Sequence, residues 1–423
     1  MTDPTGRSFL SYRRTRSGDA KLLIAAQRDR GIPTWQDIKD LDHAQTEAEL
    51  RTTLNGAAIA NAILWITPDI ADSPLIKQTE APAIVRRAEQ QDAFFMIPVA
   101  AGNLDYAEAA ALFEGHLGMH HLQQWNMRRI SSEHLEWNHA VDIARVVLRY
   151  RIRAIDQTLP PDEPLKIRFH TRNEPPVESG FALTVDWSPY FDPREASQEA
   201  WTERLLPALE DIVHTIEIEA HRRRVVAKGF PALPAVMALG SAFVSTRRRP
   251  ITWSQHFPDG SEQEWGIVGA DDPSGYEVHN VLGDPRAADL AVLVSVSDNV
   301  EKAVALQMST LPSFRVTCHI HHKSGPTRHD LTTAGQARHV AGLVQQAIRK
   351  ARSEYPITGA VHVFMAVPAG LAMMIGQRLN TLDAVQTYEY MRSQEQNQPL
   401  NKNNMQNRPL YYRGGFGQVR SRL

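Results

Sequence analysis

Short apolar runs alternate with helix-length amphipathic stretches through most of this chain, and that alternation restricts the fold more than any other feature. SFLSY (Ser8–Tyr12) reads as a strand, AKLLIAAQRDRG as a helix stopped by Gly31, and IPTW as a second strand. A helical stretch around Glu47 to Gly56 precedes the strand AILWI (Ala62–Ile66). A further helix is predicted from about Lys77 to Gln90, and then the strand AFFMIPVA. Strands separated by helices predict a parallel sheet covered on both faces. Trp137, Ala140, Val141 and Ala144 keep helical spacing within a helix predicted over Glu133 to Ile155. The proline-rich, acidic break TLPPDEP (Thr158–Pro164) then reads as a domain boundary.

Beyond the break the alternation resumes. LKIRFHT and FALTVDW are strand candidates, followed by a long helix with Trp201, Leu205, Leu209, Ile212 and Ile216 on one stripe. Pro207 falls inside that stripe and predicts a kink or a late start. ITWSQ, DLAVLVSVS and FRVTCHIHH are further strands, and AGQARHVAGLVQQAIRKARSEY is a helix leading into AVHVFMA. A strand–loop–helix layout around Lys228 to Ser241 recurs around Val361 to Leu379, which hints at duplicated halves. The tail from Ser393, rich in Gln, Asn, Arg and Gly, is expected to be only partly ordered.

Length sets two or three domains for 423 residues. With 42% hydrophobic and 22% charged residues the composition is that of a soluble globular protein, and a formal charge of −2 argues against wholesale coating of nucleic acid. Cys318 is the only cysteine, so no intrachain disulfide forms, which fits a reducing cytoplasm. MTDPTGRSFLSYRR has no apolar core of a secretory signal. The longest apolar stretch, Ala360 to Gly376, carries His362 and a central Pro368. It is short of the roughly 20 apolar residues of a membrane span, and it reads as strand, loop, helix.

One carboxylate stands out. In SPLIKQTEAPAI (Ser73–Ile84), Glu80 is the single acidic residue among mostly apolar and neutral neighbours, shortly after a buried strand and before a proline. Its bland reading is a first-turn helix residue favoured by the helix dipole. FLSYRR, GIPTWQD (Gly31–Asp37) and AILWITPDIADSPLIKQTEAPAI, in this order, resemble a TIR domain of the bacterial effector type over roughly residues 5 to 120. The resemblance implies a flavodoxin-like parallel sheet and cleavage of NAD between nicotinamide and ribose. It implies Glu80 as the catalytic carboxylate and a substrate site flanked by Trp35 and Asp37. Ser11, Tyr12 and Arg13 end the first strand, where open parallel sheets gather their ligands, and join the substrate candidates. The family often has a glycine in the loop after the second strand, and LDHAQT (Leu41–Thr46) lacks one.

VHVFMAVPAGLAMMIGQRLNTLDAVQTYEY (Val361–Tyr390) resembles the signature of SAVED domains, and KGFPALPAVMALGSAFVSTRRRPITWSQ (Lys228–Gln255) is similar to the corresponding stretch of a first half. This second resemblance spans about 165 to 392. It implies two fused CARF-like Rossmannoid halves that sense a cyclic oligonucleotide, cyclic tri-adenylate in several members, in bacterial anti-phage (CBASS) systems. Loops at the carboxyl ends of parallel strands lead into helix N-termini that favour phosphates, and aromatic side chains can stack on bases. Trp187, Lys228, Trp253, Ser297, Phe364 and Pro368 are the candidate nucleotide contacts. Arg247, Arg248 and Arg249 form either a solvated turn or a surface for an anionic partner. His319 and His321 share a strand face, but no cysteine or carboxylate at ligand spacing joins them, so no metal site is expected. The chain contains no Walker loop, nucleophile elbow or HExxH motif.

The resulting expectation is a TIR domain with a linking helix over 1–157, a SAVED domain over 165–392 and a polar tail over 393–423. Ligand binding triggers filament-like self-association and NAD depletion in the cytoplasm. NAD is the substrate, no cofactor is required, and neither membrane nor duplex nucleic acid is a partner. The alternatives are a non-catalytic TIR signalling scaffold and a nucleotide-binding sponge.

Overall fold

All eight residues of IANAILWI are buried in β3 (Ile59–Ile66), as a strand covered by helices on both faces requires. A computed structural model of the chain describes residues 2–35, 46–90, 92–113, 125–172, 178–191, 196–243, 250–325, 331–379, 384–390 and 411–413. Around β3 the first sheet runs in the order β2-β1-β3-β4-β5, with β1 at Arg7–Ser11, β2 at Thr34–Trp35, β4 at Phe95–Ala100 and β5 at Arg128–Arg129. Each of its pairings is parallel. Helices α1 (Ser17–Asp29), α2 (Thr46–Asn55), α3 (Ala81–Ala88) and α4 (Tyr106–Ala111) connect the strands, and α5 (Trp137–Thr158) follows them. The winding reverses between β1 and β3, so their carboxyl ends mark the switch point of the sheet.

The chain divides into two compact units. Unit 1 holds residues 1–168, 175–186 and 210–223, and unit 2 holds 169–174, 187–209 and 224–423. Thr158–Pro164, expected as a boundary, is a tied turn. The buried Arg223 guanidinium donates to Asp156 O (2.7 Å), Leu159 O (2.9 Å) and Pro160 O. Helix α6 (Leu206–Glu219) brings most of its length into unit 1 through two carboxylates. Asp211 accepts from Arg30 Nε at 2.8 Å and Arg145 Nε at 2.8 Å, and Glu219 accepts from Arg149 Nε at 2.6 Å and Arg153 Nε at 2.8 Å. Arg151 is fully buried and donates to the carbonyls of Thr5, Gly6 and Ala182. Burial pulls its pKa down to about 10.

Prolines shape both units locally. The stripe interrupted by Pro207 is continuous, but it passes through a π-helical turn at Trp201–Leu205, closed by Leu206 N donating to Trp201 O. A second π turn, Ile76–Glu80, is closed by Ala81 N donating to Ile76 O and is followed by Pro82. Proline offers no N–H, and a widened turn just before it lets the helix run past the missing donor.

The remaining strands form two sheets. One has the order β10-β9-β8-β6-β7, with β6 at Leu165–His170, β7 at Leu183–Asp186, β8 at Val225–Phe230, β9 at Thr252–His256 and β10 at Glu262–Trp265. The other has the order β11-β13-β12-β14-β15-β16. Its strands are β11 (Tyr276–Leu282), β12 (Asp289–Ser295), β13 (Phe314–His322), β14 (Val361–Ala366), β15 (Val385–Tyr390) and β16 (Tyr411–Arg413). The runs β9-β8-β6-β7 and β15-β14-β12-β13 are the same arrangement made twice. Within it, β8 and α7 (Leu233–Ala242) match β14 and α10 (Ala369–Arg378) in strand length, link length and helix length. The hint of duplication in the sequence is therefore a property of the fold. Of the tail, the described part is β16, antiparallel to β15. No helix among the described residues is long and apolar enough to cross a membrane.

Helices α7 and α10 touch through reciprocal glycines. A Cβ on Gly240 would lie 2.1 Å from Met373 O, and one on Gly376 would lie 2.1 Å from Met237 O. Gly240→Ala and Gly376→Ala should each destabilise the protein by about 1–3 kcal/mol through overpacking. Gly342→Ala, where a Cβ meets nothing within 4 Å on helix α9 (Ala334–Glu354), should leave the thermal midpoint unchanged or raise it. Thermal melts of the three variants check this.

Candidate functional site

Two places gather polar side chains at the carboxyl ends of parallel strands. In unit 1, β1 delivers Ser11 at its last position. After β3 the chain makes a 3-10 turn over Pro68–Asp72, and Ser73 Oγ accepts from Ile76 N at 3.3 Å as the π turn begins. That turn ends on Glu80, and Ser11 Oγ donates to Glu80 Oε2 at 2.5 Å. Ser11 is 1% and Glu80 8% exposed. A buried carboxylate held in one orientation is suited to face positive charge developing beside it.

The other expected substrate residues divide. Tyr12 and Arg13 follow Ser11 directly and are half-buried. Arg13 Nε lies 3.5 Å from Asp69 Oδ2. Burial alone would raise the Asp69 pKa, but hydrogen bonds from Thr15 and Thr67, both at 2.6 Å, together with Arg13, hold the carboxyl below its ordinary value. Trp35 is core: it is buried and stacks on Phe9 with ring centroids 5.2 Å apart. Asp37 lies outside the described residues, as do residues 41–45 of the LDHAQT loop and Arg247, Arg248 and Arg249.

In unit 2 the carboxyl edge is built differently from the expectation. Trp187 is fully buried and meets Phe169 edge-on at 4.8 Å and Trp201 at 6.0 Å. Trp253 is buried opposite Trp265 in the β9–β10 hairpin, and Phe364 is buried and stacked on Tyr388 at 4.1 Å. These three rings are core: all are buried, Trp253 and Phe364 on strands and Trp187 directly after β7. Their reading as base-stacking surfaces is withdrawn. Lys228 is half-exposed, with Nζ 3.5 Å from Glu262 Oε1. Ser297 is half-buried in the loop after β12, its N–H bonded to Ala366 O at 2.8 Å, and Pro368 is the N-cap of α10.

Among the described residues, an aromatic that faces solvent here is Phe230, 72% exposed at the last position of β8, in edge contact with His170 at 5.9 Å. Beside it, Thr171 Oγ1 accepts from Ala232 N at 2.7 Å. Leu233 N donates to Glu389 Oε2 at 2.9 Å, and Arg172 pairs with the same carboxylate. Phe230, Arg172 and Glu389 were absent from the sequence expectation. The usable signal for Glu389 was a lone carboxylate in an apolar strand, VQTYEY, the same signal that singled out Glu80. Near this edge, Ser295 Oγ accepts from Val300 N at 3.0 Å and lies 2.8 Å from His319 Nε2. Burial lowers the His319 pKa, Glu301 opposes it, and His321 and His279 add to it. Among the described residues no group of three or more His, Cys, Asp or Glu side chains is set to hold a metal ion.

Residues 209–399 match the family model of SAVED, the SMODS-associated and fused to various effectors sensor domain. The matched stretch contains both copies of the strand–link–helix unit. Among solved structures the chain is similar to the Acinetobacter baumannii Cap4 SAVED/CARF-domain containing receptor. With the cyclic trinucleotide 2'3'3'-cAAA, that receptor shows 14% identity over 82% of this chain and 83% of that one, with a TM-score of 0.45. With 3'3'3'-cAAA the identity is 14%, the coverage 83% and 84%, and the TM-score 0.46. The Moraxella osloensis Cap4 SAVED/CARF-domain containing receptor is similar at 12% identity over 95% and 99% of the two chains, with a TM-score of 0.40. No curated protein matches.

Core and edge aromatics should respond oppositely to truncation. Trp187→Ala should cost about 3–5 kcal/mol of stability, whereas Phe230→Ala should stay within about 0.5 kcal/mol. Thermal melts of the two variants measure the difference.

Proposed function

We propose that the chain is an NAD glycohydrolase of bacterial anti-phage defence, silent until a cyclic oligonucleotide binds its SAVED region. The observation that carries the reading is the Ser11–Glu80 contact at the carboxyl end of the β1/β3 switch point. The parallel order β2-β1-β3-β4-β5 is the flavodoxin-like order and supports a TIR assignment for unit 1. The match of residues 209–399 to the SAVED model supports the sensor. Cyclic tri-adenylate, the ligand of the two Acinetobacter baumannii receptor structures, is the first activator to test.

In the proposed reaction the bond between nicotinamide and ribose breaks, and its electron pair leaves with nicotinamide. The ribose left behind carries oxocarbenium character, which the Glu80 carboxylate stabilises while Ser11 holds it in place. Water then adds to the ribose and loses a proton, giving ADP-ribose. Tyr12, Arg13 and Asp37 contact the substrate in this reading. Depletion of NAD in the cytoplasm is the defensive outcome.

Such a reaction needs a tight resting state. Moving a switch from 1:99 to 99:1 takes about 5.5 kcal/mol of differential ligand affinity. Assembly supplies a route, since a neighbour can complete each site, and repeated heterologous contact gives an open filament unless it closes.

Mixing the full-length chain with NAD and either 3'3'3'-cAAA or 2'3'3'-cAAA tests the proposal. NAD loss should appear only with ligand, and specific activity at saturating ligand should rise with protein concentration as sedimentation reports large assemblies. Glu80→Gln should fold, bind ligand and lose about 3 kcal/mol or more of barrier lowering, a loss of at least about a hundredfold in rate. Turnover near wild type in that variant would sink the catalytic assignment. Ligand binding without NAD loss in the wild type would favour the scaffold or sponge.

A further inference from the structure

The duplication in unit 2 has a reciprocal detail. Helix α7 belongs to the first copy, yet its first N–H, Leu233, is bonded to Glu389 on β15 of the second copy. Helix α10 belongs to the second copy, yet its second N–H, Gly370, is bonded to Gln255 Oε1 at 3.2 Å, on β9 of the first. Strands β9 and β15 occupy the same place in the two sheet orders. Each half therefore stoppers the other half's helix with a side chain of the same length. One stopper is neutral and the other is a carboxylate.

We propose that Gln255 and Glu389 form a two-point latch between the halves of unit 2, and that Glu389 is its breakable point. A helix N-terminus holds an anion through its unpaired N–H groups and its dipole. At α7 that anion is internal. Arg172, about half exposed, holds the carboxylate from its outer side. An incoming anionic group competes for the Leu233 N–H and for Arg172 at once, and it is repelled while Glu389 stays charged. Gln255 offers no charge, so the α10 contact carries no such repulsion. The identity of the anion as a phosphodiester of a cyclic oligonucleotide rests on the function proposed above; the latch itself does not.

The surroundings make the carboxylate titratable in a useful range. Glu389 is 3% exposed, and burial pushes its carboxyl up to about 7 although Arg172 and the Leu233 N–H pull the other way. Among the described residues, Arg172, from the segment after β6, is the charged group acting on it. Helix α7 contains no ionisable residue, β14 runs alongside with Met365 and Ala366 at this level, and β16 sets Tyr412 opposite in register. A carboxyl raised from 4.5 to about 7 binds its proton more tightly in the folded chain. Its contribution to stability is therefore full below the unfolded value and is lost as pH rises through about 7.

The test uses the full-length chain without ligand first. Thermal midpoints are measured between about pH 5.5 and about pH 8.5 for the wild type, Glu389→Gln and Gln255→Glu. The wild type should fall relative to Glu389→Gln as pH rises. Gln255→Glu, which places a carboxylate at the mirrored point, should fall more steeply than the wild type. Parallel curves for all three would overturn the latch, and Gln255→Glu decides the matter alone if Glu389→Gln does not fold. Binding of 3'3'3'-cAAA is then followed over the same range. Wild-type affinity should weaken by up to about tenfold per pH unit above the Glu389 midpoint, and Glu389→Gln should bind more tightly with a flat profile. Affinity in the wild type and Glu389→Gln that follows pH identically would also overturn the proposal. If no variant binds the probe while the melting curves diverge as described, the ligand reading fails and the latch stands.

Discussion

A parallel strand can be followed by another only after the chain has crossed back over the sheet, so every parallel sheet collects its loops and helix starts at the carboxyl edge. Both units of this protein obey that constraint. Ser11 ends β1, and Phe230 ends β8. Glu80 follows β3 at the end of a π turn, and Leu233 opens the helix after β8. The polar groups that meet at these edges come from segments far apart in sequence, 69 residues apart for Ser11 and Glu80 and 156 for Leu233 and Glu389. What brings them together is sheet order.

The π turn at Ile76–Glu80 refines that placement. An α-helix running straight from Leu75 into Pro82 would face the missing N–H of proline with its ordinary hydrogen-bond pattern. Widening the turn to the bond between Ala81 N and Ile76 O shifts each residue around the axis by part of a turn. Glu80 is the last residue within the widened turn and the first to feel the change. The proline sits at the second position of α3, directly after the closing Ala81, where a residue needs no donor. The same device at Trp201–Leu205 serves packing, since Trp201 and Leu205 are both fully buried.

Much of this was legible in the sequence because it follows from periodicity. β3, β4, β12 and β14 are apolar runs of strand length, α5 and α9 are long amphipathic stretches, and the repeated strand–link–helix survives as a repeated pattern of residue types. Glu80 was legible because a lone carboxylate in an apolar setting needs a reason. Trp35, Trp187, Trp253 and Phe364 were misjudged because aromatic character fixes how much area a residue can bury, not which way its strand position faces. Phe230, by contrast, is 72% exposed at the end of β8. The unit boundary was illegible for another reason. It depends on ion pairs such as Arg30 with Asp211, 181 residues apart, and on the Arg223 clasp of a proline-rich turn that composition alone marks as a linker. β2 was legible within the run IPTW, whereas β5, two residues long, carries too little pattern to be separated from loop.

The two copies in unit 2 have kept their geometry and lost their equivalence. Position by position, Lys228 in β8 corresponds to Phe364 in β14, and Phe230 to Ala366. The first copy therefore ends its central strand with a half-exposed cation and an exposed ring, and the second with a buried ring and a buried methyl group. The stoppers differ in the opposite sense: the first copy's helix is closed by a carboxylate and the second's by an amide. A ligand built of repeated units would meet unlike surfaces in the two halves. The shared glycine crossing of α7 and α10 explains why such divergence is tolerated. Met237 O against Gly376 and Met373 O against Gly240 fix the helices by backbone contact, so the residues at their N-terminal ends are free to change without moving the frame that presents them.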